Sequence, residues 1–140
     1  MIKLTLITVG DLPKGLFSEL GDDFRKRLRP FVKLEHKIVD NESKIENQIP
    51  AGDMIVILDE RGKLMTSPQV AELIGLVEDR GQHVTVIIGG PKGLSDKTKS
   101  RANFLFALSP LTFTHDFAHI LFLEQLYRAF TILRGKEYHY

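Results

Sequence analysis

Apolar and polar residues alternate along "IKLTLITVG" (residues 2–10), and the run is rich in β-branched side chains, which predicts a strand. In "PKGLFSELGDDFRKRLR" (13–29) the apolar spacing lengthens to four. Leu16, Leu20, Phe24 and Leu28 then share one face of an amphipathic helix that Pro30 should end. "VKLEHKIV" (32–39) returns to a period of two, with Val32, Leu34, His36 and Ile38 on one side of a half-buried strand. Residues 40–52 are polar and finish in Pro-Ala-Gly, as a loop or a short helix would. "DMIVILD" (53–59) and "HVTVIIGG" (83–90) are continuous apolar runs, as expected of strands covered on both faces. Between them, "SPQVAELIGLVEDRG" (67–81) predicts a helix with Ser67 as N-cap, Pro68 at its first position and Gly81 as its stop. "SDKTKSRAN" (95–103) predicts a short helix and "FLFAL" (104–108) a last strand. "THDFAHILFLEQLYRAFTILRG" (114–135) predicts a long helix capped by Thr114 and stopped at Gly135.

Strands that alternate with helices point to an α/β fold: a mostly parallel sheet with helices on both faces. The chain has 140 residues and no repeat, low-complexity stretch or linker, so one domain over 1–140 is expected. Ligands in such folds bind beyond the carboxyl ends of the strands. Three loops therefore matter: "DERGK" after Leu58, "GGPKGLS" after Ile88 and "SPLTFT" after Leu108. The last helix is apolar on nearly every side, and such a helix must be buried all round. A chain of this size is expected to cover only part of it and to leave the remainder to a second copy, in a symmetric homodimer.

Composition narrows the picture slightly. Hydrophobic residues make up 43%, enough for a buried core, and there is no cysteine to form a disulfide or a thiolate site. The opening apolar run ends at Gly10, too short to span a bilayer, so the simplest placement is the cytoplasm with no membrane partner. Net charge is +1, yet "FRKRLRPFVKLEHK" (24–37) holds six Lys or Arg against one Glu, and Lys92, Lys97, Lys99 and Arg101 form a second basic group. Such groups mark either solvated faces or a polyanion footprint.

Four short motifs carry candidate chemistry. The glycines of "IIGGPKGLS" (87–95) follow a strand and precede a helix, but the spacing matches neither a nucleotide P-loop nor a dinucleotide fingerprint. They either make a tight connection or let backbone approach a ligand closely. "HDFAH" places His115 and His119 four apart, as in zinc proteases, but Asp116 stands where the glutamate base would be and no third ligand follows; no metal is expected. Glu124 and Arg128 form a supportive i,i+4 pair. The tail "KEYHY" places Tyr138 and Tyr140 around His139, side chains suited to stacking on bases and moving protons.

The last third of the chain carries a specific resemblance. "VIIGGPKGLS", "ALSPLTFTH" and "LEQLYRAFTILRGKEYHY", with the "ITVG" opening and "LDERGK", are similar to the bacterial enzymes that methylate N3 of a pseudouridine in large-subunit (23S) ribosomal RNA. These belong to the SPOUT superfamily of α/β-knot methyltransferases. The resemblance implies a C-terminal trefoil knot that binds S-adenosyl-L-methionine. It implies a homodimer through the last helix, and ribosomal RNA or the ribosome, not DNA, as the macromolecular partner. Carried over by position, the cofactor contacts fall on Leu58, on Gly89 and Gly90, and on Leu108, Ser109, Pro110, Leu111, Thr112 and Phe113. The glycine turn is then one wall of a methyl-donor pocket.

Under the same resemblance His139 is the candidate general base that takes the imide proton, and Tyr138 stacks on or hydrogen-bonds the base. His115 positions the tail or the RNA, and Arg25, Arg27, Arg128 and Arg134 are candidates for phosphate contact. Two positions depart from the family pattern: Thr114 stands where proline usually precedes the histidine, and His119 where arginine usually follows it by four. A protonated His119 is expected still to donate a hydrogen bond. The alternatives are methylation of a different RNA nucleoside, or a non-catalytic RNA-binding role in ribosome assembly.

Overall fold

The computed structural model describes all 140 residues. Its strands are β1 (Lys3–Val9), β2 (Lys33–Val39), β3 (Met54–Leu64), β4 (Val84–Ile88) and β5 (Phe104–Ala107). The helices are α1 (Leu16–Leu28), α2 (Ser67–Asp79), α3 (Asp96–Lys99) and α4 (His115–Leu133), with 3-10 turns at Glu42–Lys44 and Glu46–Gln48. All strand pairs are parallel, in the order β2-β1-β4-β3-β5.

That order decides where the helices go. Parallel crossovers are right-handed almost without exception. The steps β1 to β2 and β3 to β4 run in the same direction across the sheet, so α1 and α2 fall on one face. The steps β2 to β3 and β4 to β5 run the other way and place the 3-10 turns and α3 on the opposite face. Helices thus lie on both faces, but the long ones are all on one. Side chains sort by strand parity. Leu4, Leu6, Val56, Val84, Val86, Ile88 and Phe106 join the large core under α1, α2 and α4. Ile7, Ile55, Ile57 and Ile87 point to the smaller core with Val39 and Ile45.

Helix α4 lies between α1 and α2 and against the sheet. Ile120, Phe122, Leu123, Leu126, Ala129 and Phe130 are buried within the single chain. Three elements of the same chain thus cover one side of this helix, while Phe117, Leu121, Tyr127, Ile132 and Leu133 keep part of their surface open. Phe117 is its one strongly exposed large apolar residue, at 53%. No helix is long and apolar enough to cross a membrane.

Two further details differ from the sequence expectations. The N-cap of α2 is Thr66, not Ser67: the Thr66 hydroxyl accepts from the Gln69 amide at 3.3 Å, and the Gln69 side chain accepts from the Thr66 amide. Ser67 instead donates to Gln125 Oε1 of α4 at 2.6 Å. Strand β3 also runs on to Leu64, past the predicted end. Leu58 and Lys63 both pair with Phe106, so residues 59–62 loop out of the ladder between them. Gly62 makes the loop possible. A Cβ there would lie 2.6 Å from the Leu105 carbonyl carbon and 2.7 Å from the Phe106 nitrogen.

A buried polar seam joins β1, β2, α1 and α4. Thr8 spends its hydroxyl proton on the Gly10 carbonyl at 2.7 Å, so His36 Nε2, 2.8 Å from the same oxygen, must donate to it. The His119 ring meets the His36 ring edge-on, with centroids 5.1 Å apart. His119 is 3% exposed, and its Nε2, like Arg25 Nη1, has no hydrogen-bond partner. Burial, then the neighbouring His36 and Arg25, push the His119 pKa down to about 4; Asp11 acts weakly the other way. Burial and Arg25 lower that of His36 as well. His119 is therefore a neutral packing residue, which corrects the expectation that it donates as a cation.

Two outcomes test these features. Gly62→Ala should cost about 1–3 kcal/mol of unfolding free energy, read from urea melts, because backbone atoms must move to admit the methyl group. For His119 the folded pKa lies below the unfolded value, so its contribution is intact above pH ~6.5 and is lost as pH falls toward the folded value of about 4. The loss is on the order of 3 kcal/mol when complete. In urea melts at pH 7 and pH 5, His119→Leu should lose less stability between the two than the parent protein does.

Candidate active site

The carboxyl ends of β3, β4 and β5 open into one cavity of about 690 Å³, closed on one side by the start of α4. The wall after β4 is a tight turn: the Gly93 amide donates to the Gly90 carbonyl at 2.9 Å, and Pro91 occupies the second position. Gly93 takes φ 70°, a conformation that glycine adopts without strain. A Cβ on Gly89 would lie 2.9 Å from Leu94 Cγ, so the bare backbone there is needed for packing as well as for approach. Ser95 follows and caps α3 by accepting from the Thr98 amide at 3.3 Å.

The wall after β5 is shaped by two side chains. Ser109 Oγ accepts from the Leu111 amide at 3.0 Å, which folds the loop back on itself. The Thr112 hydroxyl donates to Glu60 at 2.6 Å and ties this wall to the looped-out residues of β3. Thr114 caps α4 by accepting from the Phe117 amide at 3.4 Å. Of the positions carried over for the cofactor, Leu58, Gly89, Gly90, Leu108, Ser109, Leu111, Thr112 and Phe113 line this cavity. Pro110 does not, although it belongs to the same loop.

Two charged residues that the sequence had not singled out, Asp59 and Glu60, also face the cavity, with Asp116 of "HDFAH" and Lys92 and Lys99 of the second basic group. Asp59 pairs with Lys99 Nζ at 2.9 Å and accepts from the Arg61 amide at 3.0 Å. Burial, the largest single influence, would raise the Asp59 pKa. The Arg61 amide and Lys99 together outweigh it and hold the carboxyl below its ordinary value. The only signal for Asp59 and Glu60 was their position in "DERGK".

His115 lines the cavity and sits 3.2 Å from the Asp116 carboxylate. His119, one turn on, packs against His36, so the "HDFAH" pair does not face one common ligand. Tyr138 and His139 are not brought to this cavity by their own chain. The tail turns at Gly135 and runs back along α4. Tyr138 packs edge-on against Tyr127, with centroids 4.7 Å apart, and the Arg128 guanidinium lies 5.0 Å above the Tyr138 ring. Tyr127 is about 18 Å along the helix from His115, at 1.5 Å per residue. Burial, then Glu124, raise the Tyr138 pKa, which keeps its phenol protonated.

The four arginines suggested for RNA are all engaged within the chain. Arg25 pairs with Asp22 at 3.0 Å, Arg27 with Asp23 at 3.1 Å and Arg128 with Glu124 at 2.8 Å. Arg134 grips both Glu78 oxygens, at 3.1 and 2.7 Å. Among the exposed cations without an acidic partner, two groups stand together: Lys26, Arg29 and Lys33 around the end of α1, and Lys92 and Lys97 beside the glycine turn.

Comparison with known proteins agrees with this arrangement. A family described as predicted SPOUT methyltransferases matches residues 2–139. The ribosomal RNA large subunit methyltransferase H of Maridesulfovibrio salexigens is 38% identical, over 100% of this chain and 99% of that one. The protein of the same name from Caldicellulosiruptor saccharolyticus is 35% identical, over 99% of each. A putative methylase family protein from Neisseria gonorrhoeae superposes with a TM-score of 0.57 at 11% identity, over 98% of this chain and 95% of that one, a likeness of fold. The parallel sheet, the three converging loops and full-length identity to these relatives together show that this chain belongs to the SPOUT methyltransferases, in the ribosomal RNA large subunit methyltransferase H family.

Proposed function

We propose that the chain methylates N3 of a pseudouridine in large-subunit ribosomal RNA, with S-adenosylmethionine as methyl donor and a homodimer as the working unit. The observation that carries this is the convergence of Leu58, Gly89, Gly90 and the 108–113 loop on a single cavity. Its volume of about 690 Å³ is in the range of small-molecule and cofactor sites. The lining fits the donor. Leu58, Leu108 and Leu111 offer apolar surface to an adenine ring, backbone of the 108–113 loop can meet its polar edge, and the glycines leave room beside ribose. Polar Asp59, Lys99 and Asp116 are available to a zwitterionic amino-acid group. S-adenosylmethionine, when bound, supplies a methyl group on a sulfonium, already a strong electrophile.

The chain's own residues then have to place the base, and positioning supplies much of the rate. Tyr138 and His139 are suited to hold it, yet they lie three helical turns from their own cavity. A second copy brings them within reach of it. Leu16 and Leu111, exposed at 72% and 69%, together with Phe117 give that copy apolar surface to cover. Phe17 braces Phe117 edge-on at 5.0 Å. Lys26, Arg29, Lys33, Lys92 and Lys97 are free to meet phosphate. The family's trefoil threading, and work alongside ribosomes in the cytoplasm, belong to the same reading.

Two measurements decide it. Calorimetry should show stoichiometric binding of S-adenosylmethionine, and no binding at millimolar ligand would favour an assembly role. Mixing a cavity variant, Gly90→Trp, with a tail variant, His139→Ala, should restore methyl transfer to about one quarter of the parent level, because half of the dimers are mixed and each has one intact site. No recovery in the mixture would mean that each chain uses its own tail.

A further inference from the structure

We propose that His139 acts as a hydrogen-bond donor through Nε2 and not as the proton acceptor, and that Arg128, itself held by Glu124, is the positioning residue that keeps it in this form. This rests on the methylation reading above and specifies what the tail does within it.

The contacts fix the tautomer. Arg128 Nη1 lies 3.0 Å from His139 Nδ1. A guanidinium carries only donors and stays charged, so Nδ1 must accept and cannot bear a hydrogen. In a neutral imidazole the remaining proton is then on Nε2, and Nε2 has no lone pair with which to take another. Arg128 is not free to turn away. Its Nε donates to Glu124 Oε1 at 2.8 Å, both side chains are largely buried, and the guanidinium rests on the Tyr138 ring. Glu124, Arg128, Tyr138 and His139 thus form one unit, displayed on α4 and the tail of the same chain.

A donor is what the chemistry can use. When N3 of the imide loses its proton to solvent water, the electron pair of the N–H bond stays on the base. The negative charge spreads over N3 and the two flanking carbonyl oxygens. An Nε2–H aimed at one of those oxygens stabilises the charge as it develops and holds N3 toward the methyl donor. An imidazole whose second nitrogen is occupied by an arginine serves this better than it serves as a base.

The test combines spectra with kinetics. In protein labelled with ¹⁵N-histidine, the His139 ring signals are assigned by their loss in His139→Gln. At a pH where the ring is neutral, long-range ¹H–¹⁵N spectra should show the hydrogen on Nε2, with an Nδ1–H population appearing only in Arg128→Gln. An Nδ1–H population in the parent protein overturns the proposal. In single turnovers on ribosomal substrate, His139→Gln keeps a donor but has no basic nitrogen. It should stay within about 10-fold of the parent, and His139→Ala should fall by about 100-fold or more, the loss typical of a missing donor to developing charge. Equal losses in the two variants overturn it. Arg128→Gln should slow the parent but have little further effect on His139→Ala, and a full effect in both backgrounds would mean that Arg128 does not act through His139. If the parent transfers no methyl group to ribosomal RNA, the methylation reading fails, and the spectra still decide the tautomer.

Discussion

The right-handedness of parallel crossovers is the constraint from which the rest of this molecule follows. The direction across the sheet reverses after β2, after β3 and again after β4, and each reversal sends the connecting segment to the other face. The two long crossover helices therefore share one face, and α4 fills the space between them. The same reversals bring the ends of β3, β4 and β5 side by side, since β4 and β5 are the two neighbours of β3. Three loops that are far apart in sequence thus become the walls of one cavity.

Much of the fold was legible because burial imposes a period. The strands read as alternating or continuous apolar runs, and the parity of each residue predicts which core it enters. Thr114, Gly81 and Gly135 marked helix ends through local hydrogen-bond and φ requirements. What could not be read was long-range. The looped-out segment of β3 depends on Gly62 meeting the β5 backbone more than forty residues away. The part of α4 buried within one chain depends on α1 and α2 flanking it. Apolar residues around a helix report that it is covered, and do not report by which chain.

The candidate site was legible in part for the same reason. Leu58, the paired glycines and the 108–113 loop were reachable from strand ends and resemblance. Asp59 and Lys99 became notable only as a pair. The arginines show the opposite failure. Arg25 and Arg27 on α1, with Arg128 and Arg134 at the last helix, suggested a phosphate surface, yet each is paired with an acidic residue three or four positions away or across a helix pair. Charge counts along a sequence do not distinguish a paired cation from a free one: Lys26, Arg29 and Lys33 of the same basic stretch have no acidic partner.

The looped-out residues of β3 give one strand two separable duties. Leu58 and Lys63 meet the same β5 residue, so the sheet closes over residues 59–62 as though they were absent. The pairing does not register how many residues lie between those two or what charge they carry, provided that the one passing β5 has no side chain. The pocket's polarity can therefore drift from one relative to another while the scaffold beneath it stays in register.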